Sequence, residues 1–310
     1  MASRPGRRRA PGPTPLAISI TRPSDQRLAE LLDGYREAAR APRRRALLLA
    51  LAVAALSLVA GHVAEVDLAR LWRHFGGFFD YFDRITAFES GTGRVWTDPA
   101  EWLWGWKKWG ILLFDTLLIA YLGTVLGGIG GFLLSFLASS NLVANRWLRG
   151  AARRVLEFCR TVPDIVFALI FVMAFGLGPV PGVLAIALHS MGALGKLFYE
   201  VVENIDRKPV EGATAAGASW VAMVRFAVVP QVLPNFVSYL LLRFEINVRQ
   251  ASVLGFVGAG GIGLDLLEAI RKFYYNDVSA ILLLIILTVM LIDLGTEWLR
   301  HRLIGAMERH

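Results

Sequence analysis

The sequence predicts an all-α protein, a polytopic bundle of membrane-spanning helices, and three observations lead there. Of 310 residues, 55% are hydrophobic and 19% charged. Mean hydropathy is +0.51, too apolar for an ordinary soluble domain. The apolar residues gather into stretches comparable to the roughly 17 to 25 residues a helix needs to cross a hydrocarbon core, where the backbone must satisfy its own hydrogen bonds. Lys and Arg collect beside alternate ends of those stretches, the asymmetry that marks a cytoplasmic side.

Residues 1–45 form a basic cytoplasmic segment carrying Arg7, Arg8, Arg9, Arg40, Arg43, Arg44 and Arg45. Within it Leu28, Leu31, Leu32, Tyr35 and Ala39 recur at helical spacing behind Ser24 and Asp25, which predicts a short amphipathic surface helix, with a solvated tail as the alternative. Residues 46–64 are the first span. A cleaved signal peptide is the rival reading, but the 45 residues before it far exceed a normal n-region.

Residues 65–110 balance their charges, Glu65, Asp67, Asp80, Asp83, Glu89, Asp98 and Glu101 against Arg70, Arg73, Arg84, Arg94, Lys107 and Lys108, and are placed outside. Six of the nine tryptophans fall here, Trp72, Trp96, Trp102, Trp104, Trp106 and Trp109. Tryptophan favours the membrane interface, where its ring is buried and its N–H stays wet, so the segment reads as an interfacial element. An aromatic ligand cage is the other reading.

The second span, 111–138, carries Gly123, Gly127, Gly128, Gly130 and Gly131, a small-residue face for close helix packing. A basic loop at 139–162 with Arg146, Arg149, Arg153, Arg154 and Arg160 returns the chain to the cytoplasmic side. The third and fourth spans, 163–178 and 180–198, are joined by the Gly- and Pro-rich turn from Gly176 to Gly182. The fifth is 231–247 and the sixth 279–299, followed by Arg300, Arg302 and Arg309. An even number of spans leaves both termini cytoplasmic. The net charge of +8 then reflects topology and needs no nucleic acid. The single cysteine, Cys159, reads as packing.

Several chemistries are excluded. Gly258, Gly260 and Gly263 spell G-x-G-x-x-G, yet the segment follows a membrane span and not a strand of a βαβ unit, so it is no dinucleotide fingerprint. Residues 190–197 lack the first Gly and the final Ser/Thr of a phosphate loop. No catalytic cluster stands out, which argues against an enzyme. A secondary transporter would carry intramembrane carboxylates and a repeated half, neither of which is clear.

The most informative stretch is the loop 209–230 between the fourth and fifth spans. Glu211-Gly212-Ala213-Thr214-Ala215-Ala216-Gly217 is followed after nine residues by Ala227-Val228-Val229-Pro230. This resembles the cytoplasmic coupling motif of ABC-importer permeases, E-A-A-x-x-x-G, nine residues, then I-x-L-P, with Gly212, Ala227 and Val229 as the departures. The similarity continues through His189-Ser190, Gly195-Lys196-Leu197-Phe198, Glu203-Asn204-Ile205-Asp206, Pro230-Gln231-Val232-Leu233-Pro234, Phe244 to Arg249 and Val253 to Gly263. Together these look like the permeases of phosphonate, phosphite and hypophosphite importers, over about residues 105 to 305.

That resemblance implies an extra N-terminal helix before a five-helix type I permease domain, 111–300, with a tail at 301–310, in the cell inner membrane. Glu211, Gly212, Ala213, Gly217 and Pro230 would couple to a partner ATPase. Gly255, Gly258, Gly260, Gly261 and Gly263 would lie near the outer end of the translocation path. The implied partners are a second copy, two ATPase subunits, an extracytoplasmic substrate-binding protein and membrane lipid. No cofactor is implied in this chain, and ATP and Mg belong to the ATPase.

Charges beside membrane helices are costly and point to function. Arg243, Glu245 and Arg249 therefore stand out. Glu245 and Arg249, four apart, share a helix face; an ion pair anchoring the helix end is one reading, and Arg249 as a forked donor to a passing oxyanion is the other. His189 is either a packed, hydrogen-bonded histidine or a group on the path. Asp115 and Asp293 read as partners of local Arg or Trp donors.

Overall fold

The computed structural model describes residues 24–88 and 93–307. Arg7, Arg8, Arg9, Glu89 and Arg309 lie outside them, as do the side chains of Leu31, Leu32, Ala39, Arg40 and Arg43. The described residues are helices and connections without a named strand, in two compact units, Met1–Phe75 and Gly76–His310.

The first unit holds α1 (Asp25–Val63) and α2 (Leu68–Arg73). The surface helix and first span expected as separate elements are one 39-residue helix with Pro42 inside it. Ala, Leu and Arg are strong helix formers and carry the helix through the proline. Its Arg44–Val63 part is apolar, long enough to cross a membrane and without a buried residue. The Asp67 side chain accepts from Arg70 N and caps α2.

The second unit begins with α3 (Phe75–Ile85), an amphipathic helix of aromatic and acidic residues. Ala87 lies opposite Arg94 in an isolated antiparallel bridge, and the Arg94 guanidinium reaches Asp83 at 2.6 Å. Asp98 caps the one-turn α4 (Pro99–Trp102). Trp102 and Trp104 donate their indole N–H groups to Ser279 and Asp277, both at 2.9 Å. Trp109 is buried, while Trp96, Trp104 and Trp106 stay exposed.

α5 (Trp106–Ala138) and α8 (Pro179–Glu203) form the central pair. A Cβ on Gly127 would stand 2.6 Å from Ala187 O, and one on Gly131 2.9 Å from Gly195 N, so these glycines set the interhelical distance. Between the pair come α6 (Arg146–Thr161), capped by Asn145, and α7 (Asp164–Phe175). The buried Cys159 packs in α6.

The third span expected at 163–178 is not a single straight helix. α7 has only 12 residues, about 18 Å at 1.5 Å per residue, against a hydrocarbon core of about 30 Å. It is bent 87° from α6. Pro163 lacks the N–H and forces Val162 into extended backbone, ψ 124°, which ends α6. Five helices are therefore long and apolar enough to cross a membrane, and six if the bent pair counts as one broken span.

Beyond α8 lie α9 (Arg207–Ala215), α10 (Trp220–Met223), a π-turn at Val224–Val228, and α11 (Val229–Leu254). The helical path Trp220–Val257 is 38 residues long, much longer than the expected 231–247. Pro230 does not break it because the π-turn immediately before supplies the wider ring, Val229 N reaching Val224 O. A 3₁₀ turn at Gly255–Val257 leads to α12 (Ile262–Arg271) and α13 (Tyr275–Met307).

One node ties the C-terminal ends of α5 and α8 to the middle of α6. Arg153 Nη2 meets Glu203 Oε1 at 2.5 Å, Ser140 N donates to the same oxygen at 2.7 Å, and Arg153 Nε donates to Ala138 O at 2.8 Å. Glu203→Ala leaves Arg153 and Ser140 N without their acceptor. The expected cost is about 2 kcal/mol after screening of the partly exposed pair, read as a lower melting temperature of the purified protein; an unchanged melt would remove the node from the account of stability.

Candidate coupling surface and translocation path

α9 carries the coupling motif and stands clear of the bundle. Asp206 caps it by accepting from Lys208 N at 3.1 Å, and none of its residues is buried. Glu211 and Gly212 are exposed, and a Cβ on Gly212 would meet nothing within 4 Å. The helix ends in a Schellman motif, Ala218 N to Ala213 O and Gly217 N to Thr214 O, both 3.0 Å. Gly217 has φ +77°, left-handed backbone that favours glycine. Val210 seats α9 on a cluster that includes Val224, Val228 and Val232.

Gln231 joins this helix to the membrane path. Its Oε1 accepts from Asp206 N at 3.1 Å, and its Nε2 donates to Asp206 O at 3.3 Å and to Ala227 O at 2.6 Å. One amide thus grips the N-cap of α9 and the π-turn together. Its 25-residue reach back to Asp206 is not visible in the sequence. A cleft of about 440 Å³ opens beside it, lined by Glu200, Asn204, Asp206, Gln231, Asn235 and Tyr239 among others.

From that cleft a polar stripe climbs α11. Its open face runs through 235, 239, 242, 246, 249 and 253, with 243 and 250 at its edge, which is helical spacing. On this face Asn235, Tyr239 and Arg249 alternate with Leu242, Ile246 and Val253, and Arg243 and Gln250 add polar groups at its edge. By contrast the exposed face of α5 presents Ile111, Phe114, Leu118, Leu122, Val125 and Ile129, a surface suited to lipid. Polar residues within membrane helices face a partner or a water-filled path.

The two arginines of the stripe have different surroundings. Arg249 is clasped by two carboxylates, Glu245 Oε1 at 2.7 Å and Asp293 Oδ2 at 3.4 Å. The predicted helix-end pair is thus in place, extended across to α13. Arg243 has no ion pair within 4 Å among the described residues. Its Nε donates to Ser190 Oγ at 3.1 Å, and Ser190 also accepts from Asn247 Nδ2 at 2.9 Å. Asn247 donates in turn to Thr124 Oγ1 at 2.8 Å, and Thr124 to Ala120 O at 2.6 Å. Ser190 and Asn247 are both 0% exposed. His189, next along α8, has Nδ1 3.1 Å from Val162 O; that contact needs the proton on Nδ1. Asp164 lies within electrostatic range of both His189 and Arg243.

The glycine segment closes the other end of α11. Gly258, Gly260 and Gly261 have φ of +82°, +84° and +78°. Gly178 N donates to Gly258 O at 3.0 Å, and Ile262 N to Thr116 Oγ1 at 2.9 Å. A Cβ on Gly255 would lie 2.7 Å from Gly263 Cα, so these two glycines pack backbone to backbone. Outside the apolar spans, Lys108 pairs with Asp265 and Lys272 with Glu268, each at 2.5 Å. The hydrogen bond from Lys272 holds the Glu268 carboxyl below its ordinary range, and holds the Lys272 ammonium correspondingly above its own.

The comparisons with known proteins agree with this arrangement. Residues 131–309 match the family described as binding-protein-dependent transport system inner membrane component. The chain is 41% identical over 196 residues to the phosphite transport system permease protein PtxC of Stutzerimonas stutzeri, covering 63% of this chain and 71% of that one. It is 43% identical over 180 residues to the phosphate-import permease protein PhnE of Mycolicibacterium smegmatis, covering 58% of this chain but only 34% of that longer one. The inward-facing MetNI methionine ABC transporter matches with a TM-score of 0.56 at 19% identity, over 66% of this chain and 98% of that chain, a likeness of fold. The exposed motif helix, the long apolar helices and the family match together make this chain a membrane-spanning permease subunit, and not an enzyme, of the binding-protein-dependent transport system inner membrane component family.

Proposed function

We propose that two copies of this chain form the translocation path of an ATP-driven importer for phosphorus oxyanions, phosphonate, phosphite or hypophosphite. The observation that carries the coupling half is α9, an exposed, doubly capped helix held to the bundle by Val210 and the Gln231 amide. A helix so held can seat in a groove of an ATPase and pass that subunit's movement to α11. Two ATPase subunits would supply ATP and Mg chemistry, and an extracytoplasmic binding protein would deliver the anion. With the arginines of α6 and of the C-terminal tail taken as cytoplasmic and the bent α6–α7 pair counted as one broken span, α9 and both termini would lie on the cytoplasmic side and the glycine turn at 255–263 on the outer side. The substrate half rests on likeness to phosphite and phosphate permeases.

Glu211→Lys reverses the charge on the exposed face of α9 without touching its packing. Capture of the ATPase by tagged permease should fall at least tenfold while the permease itself remains monodisperse. Capture at the wild-type level with normal uptake would end the coupling assignment. In proteoliposomes, uptake of labelled phosphite should require ATP and persist when ion gradients are collapsed; dependence on a gradient and not on ATP would favour a secondary transporter.

A further inference from the structure

Among the mid-bundle cations, Arg243 is the one whose environment has no structural explanation in an ion pair. An arginine on a membrane helix is costly unless it faces the interior or a wet cavity. Arg249 has that cost offset by Glu245 and Asp293. Arg243 is instead held by neutral groups, Ser190 Oγ at 3.1 Å and, more distantly, Gln250 Oε1 at 3.5 Å. Those contacts use Nε and one Nη2 hydrogen, so most of the guanidinium fork stays free to donate.

The groups behind it fix its position. Ser190 lies mid-way along α8 and Thr124 near the middle of α5. Asn247 bridges them with both hydrogens of its amide. A buried, linked set of neutral side chains thus aims one cation from α11, and that cation lies on the edge of the polar stripe that rises from the cleft by Asn235 and Tyr239. His189 and Asp164 border it electrostatically. Such a fork of donors, without a carboxylate in contact, matches a small tetrahedral oxyanion better than a cation or an apolar solute.

We propose that Arg243 is the substrate-contacting cation of the path at mid-membrane depth, with Ser190 and Asn247 as its positioning residues. This rests on the oxyanion reading above. The anion-donor role considered for Arg249 passes to Arg243, because Arg249 is already neutralised by two carboxylates.

The test uses the complete complex, permease with ATPase and binding protein, in proteoliposomes supplied with labelled phosphite. The readout is phosphite moved per ATP hydrolysed. For Arg243→Gln this ratio should fall at least tenfold while the loaded binding protein still stimulates ATP hydrolysis. Arg243→Lys, which keeps the charge but not the fork, should fall less. Ser190→Ala, which frees the arginine without altering charge, should fall several-fold. A wild-type ratio in Arg243→Gln overturns the assignment, as does a loss of stimulation in step with uptake, the mark of a merely structural residue. Should Arg243→Gln fail to assemble, wild-type ratios in both Arg243→Lys and Ser190→Ala overturn it equally. If the unmutated complex carries neither phosphite, phosphonate, hypophosphite nor phosphate, the oxyanion reading itself fails, an outcome separate from a variant that transports normally.

Discussion

Gly263→Ala should leave little folded permease. Its Cβ would fall well inside the van der Waals envelope of Ser252 O, and 3.1 Å from Gly255 Cα. Both obstacles are backbone atoms at the junction of α11 and α12, so no rotamer change relieves them. Alanine's better helix propensity returns about 1 kcal/mol, while overpacking into an ordered junction costs roughly 1 to 3 kcal/mol and more where backbone must shift. The steric term wins. The expected result is a melting temperature lowered by many degrees, or loss of monodisperse protein, with uptake lost in parallel. Gly295→Ala in α13 is the control, since a Cβ there meets nothing within 4 Å; it should melt at or slightly above the wild-type temperature. Equal melts for the two variants would show that the 255–263 turn is more yielding than its geometry states.

Much of this architecture was legible in the chain. Hydropathy located the apolar part of α1 and α5, α8 and α13, because long runs of Leu, Ile, Val and Phe leave the helix no other environment. The glycines of α5 announced a close neighbour, and α8 is that neighbour. What hydropathy could not give was direction. Residues 163–178 carry only one charge, Asp164, yet Pro163 turns α7 sharply away from α6 and the helix stops at Phe175, too short to span except as the second half of a broken α6–α7 span. Nor did Pro230 mark a helix start, since a π-turn absorbs a proline only when the surrounding packing holds the wider ring. The candidate site was legible where it is local: Glu211 to Gly217 form one helix with its cap, and Glu245 and Arg249 pair at four residues' spacing. It was illegible where contacts join distant parts of the chain. Ser190 and Asn247 are 57 positions apart and Thr124 and Asn247 are 123 apart, so the difference between a paired Arg249 and an unpaired Arg243 could not be read from either residue's neighbours.

Gln231→Ala should uncouple ATP hydrolysis from transport. The amide makes three hydrogen bonds, two to the backbone of Asp206 at the head of α9 and one to Ala227 O in the π-turn. At about 1 kcal/mol for each neutral bond, the clamp is worth as much as the 1 to 3 kcal/mol typical of coupling between sites. Losing it leaves α9 held mainly through Val210, so movement of a docked ATPase is spent in displacing α9 and is not delivered to α11. The ratio of binding-protein-stimulated to basal ATP hydrolysis should fall towards one, and uptake should fall with it, while ATPase capture stays normal because Glu211 and the exposed face are untouched. That pattern differs from Arg243→Gln, for which stimulation is retained. Gln231→Glu sharpens the point: the carboxylate keeps an acceptor for Asp206 N but cannot donate to either carbonyl, so it should behave nearly as poorly as alanine. Full stimulation and uptake in Gln231→Ala would mean that the apolar seat of Val210 on Val224, Val228 and Val232 transmits the movement by itself.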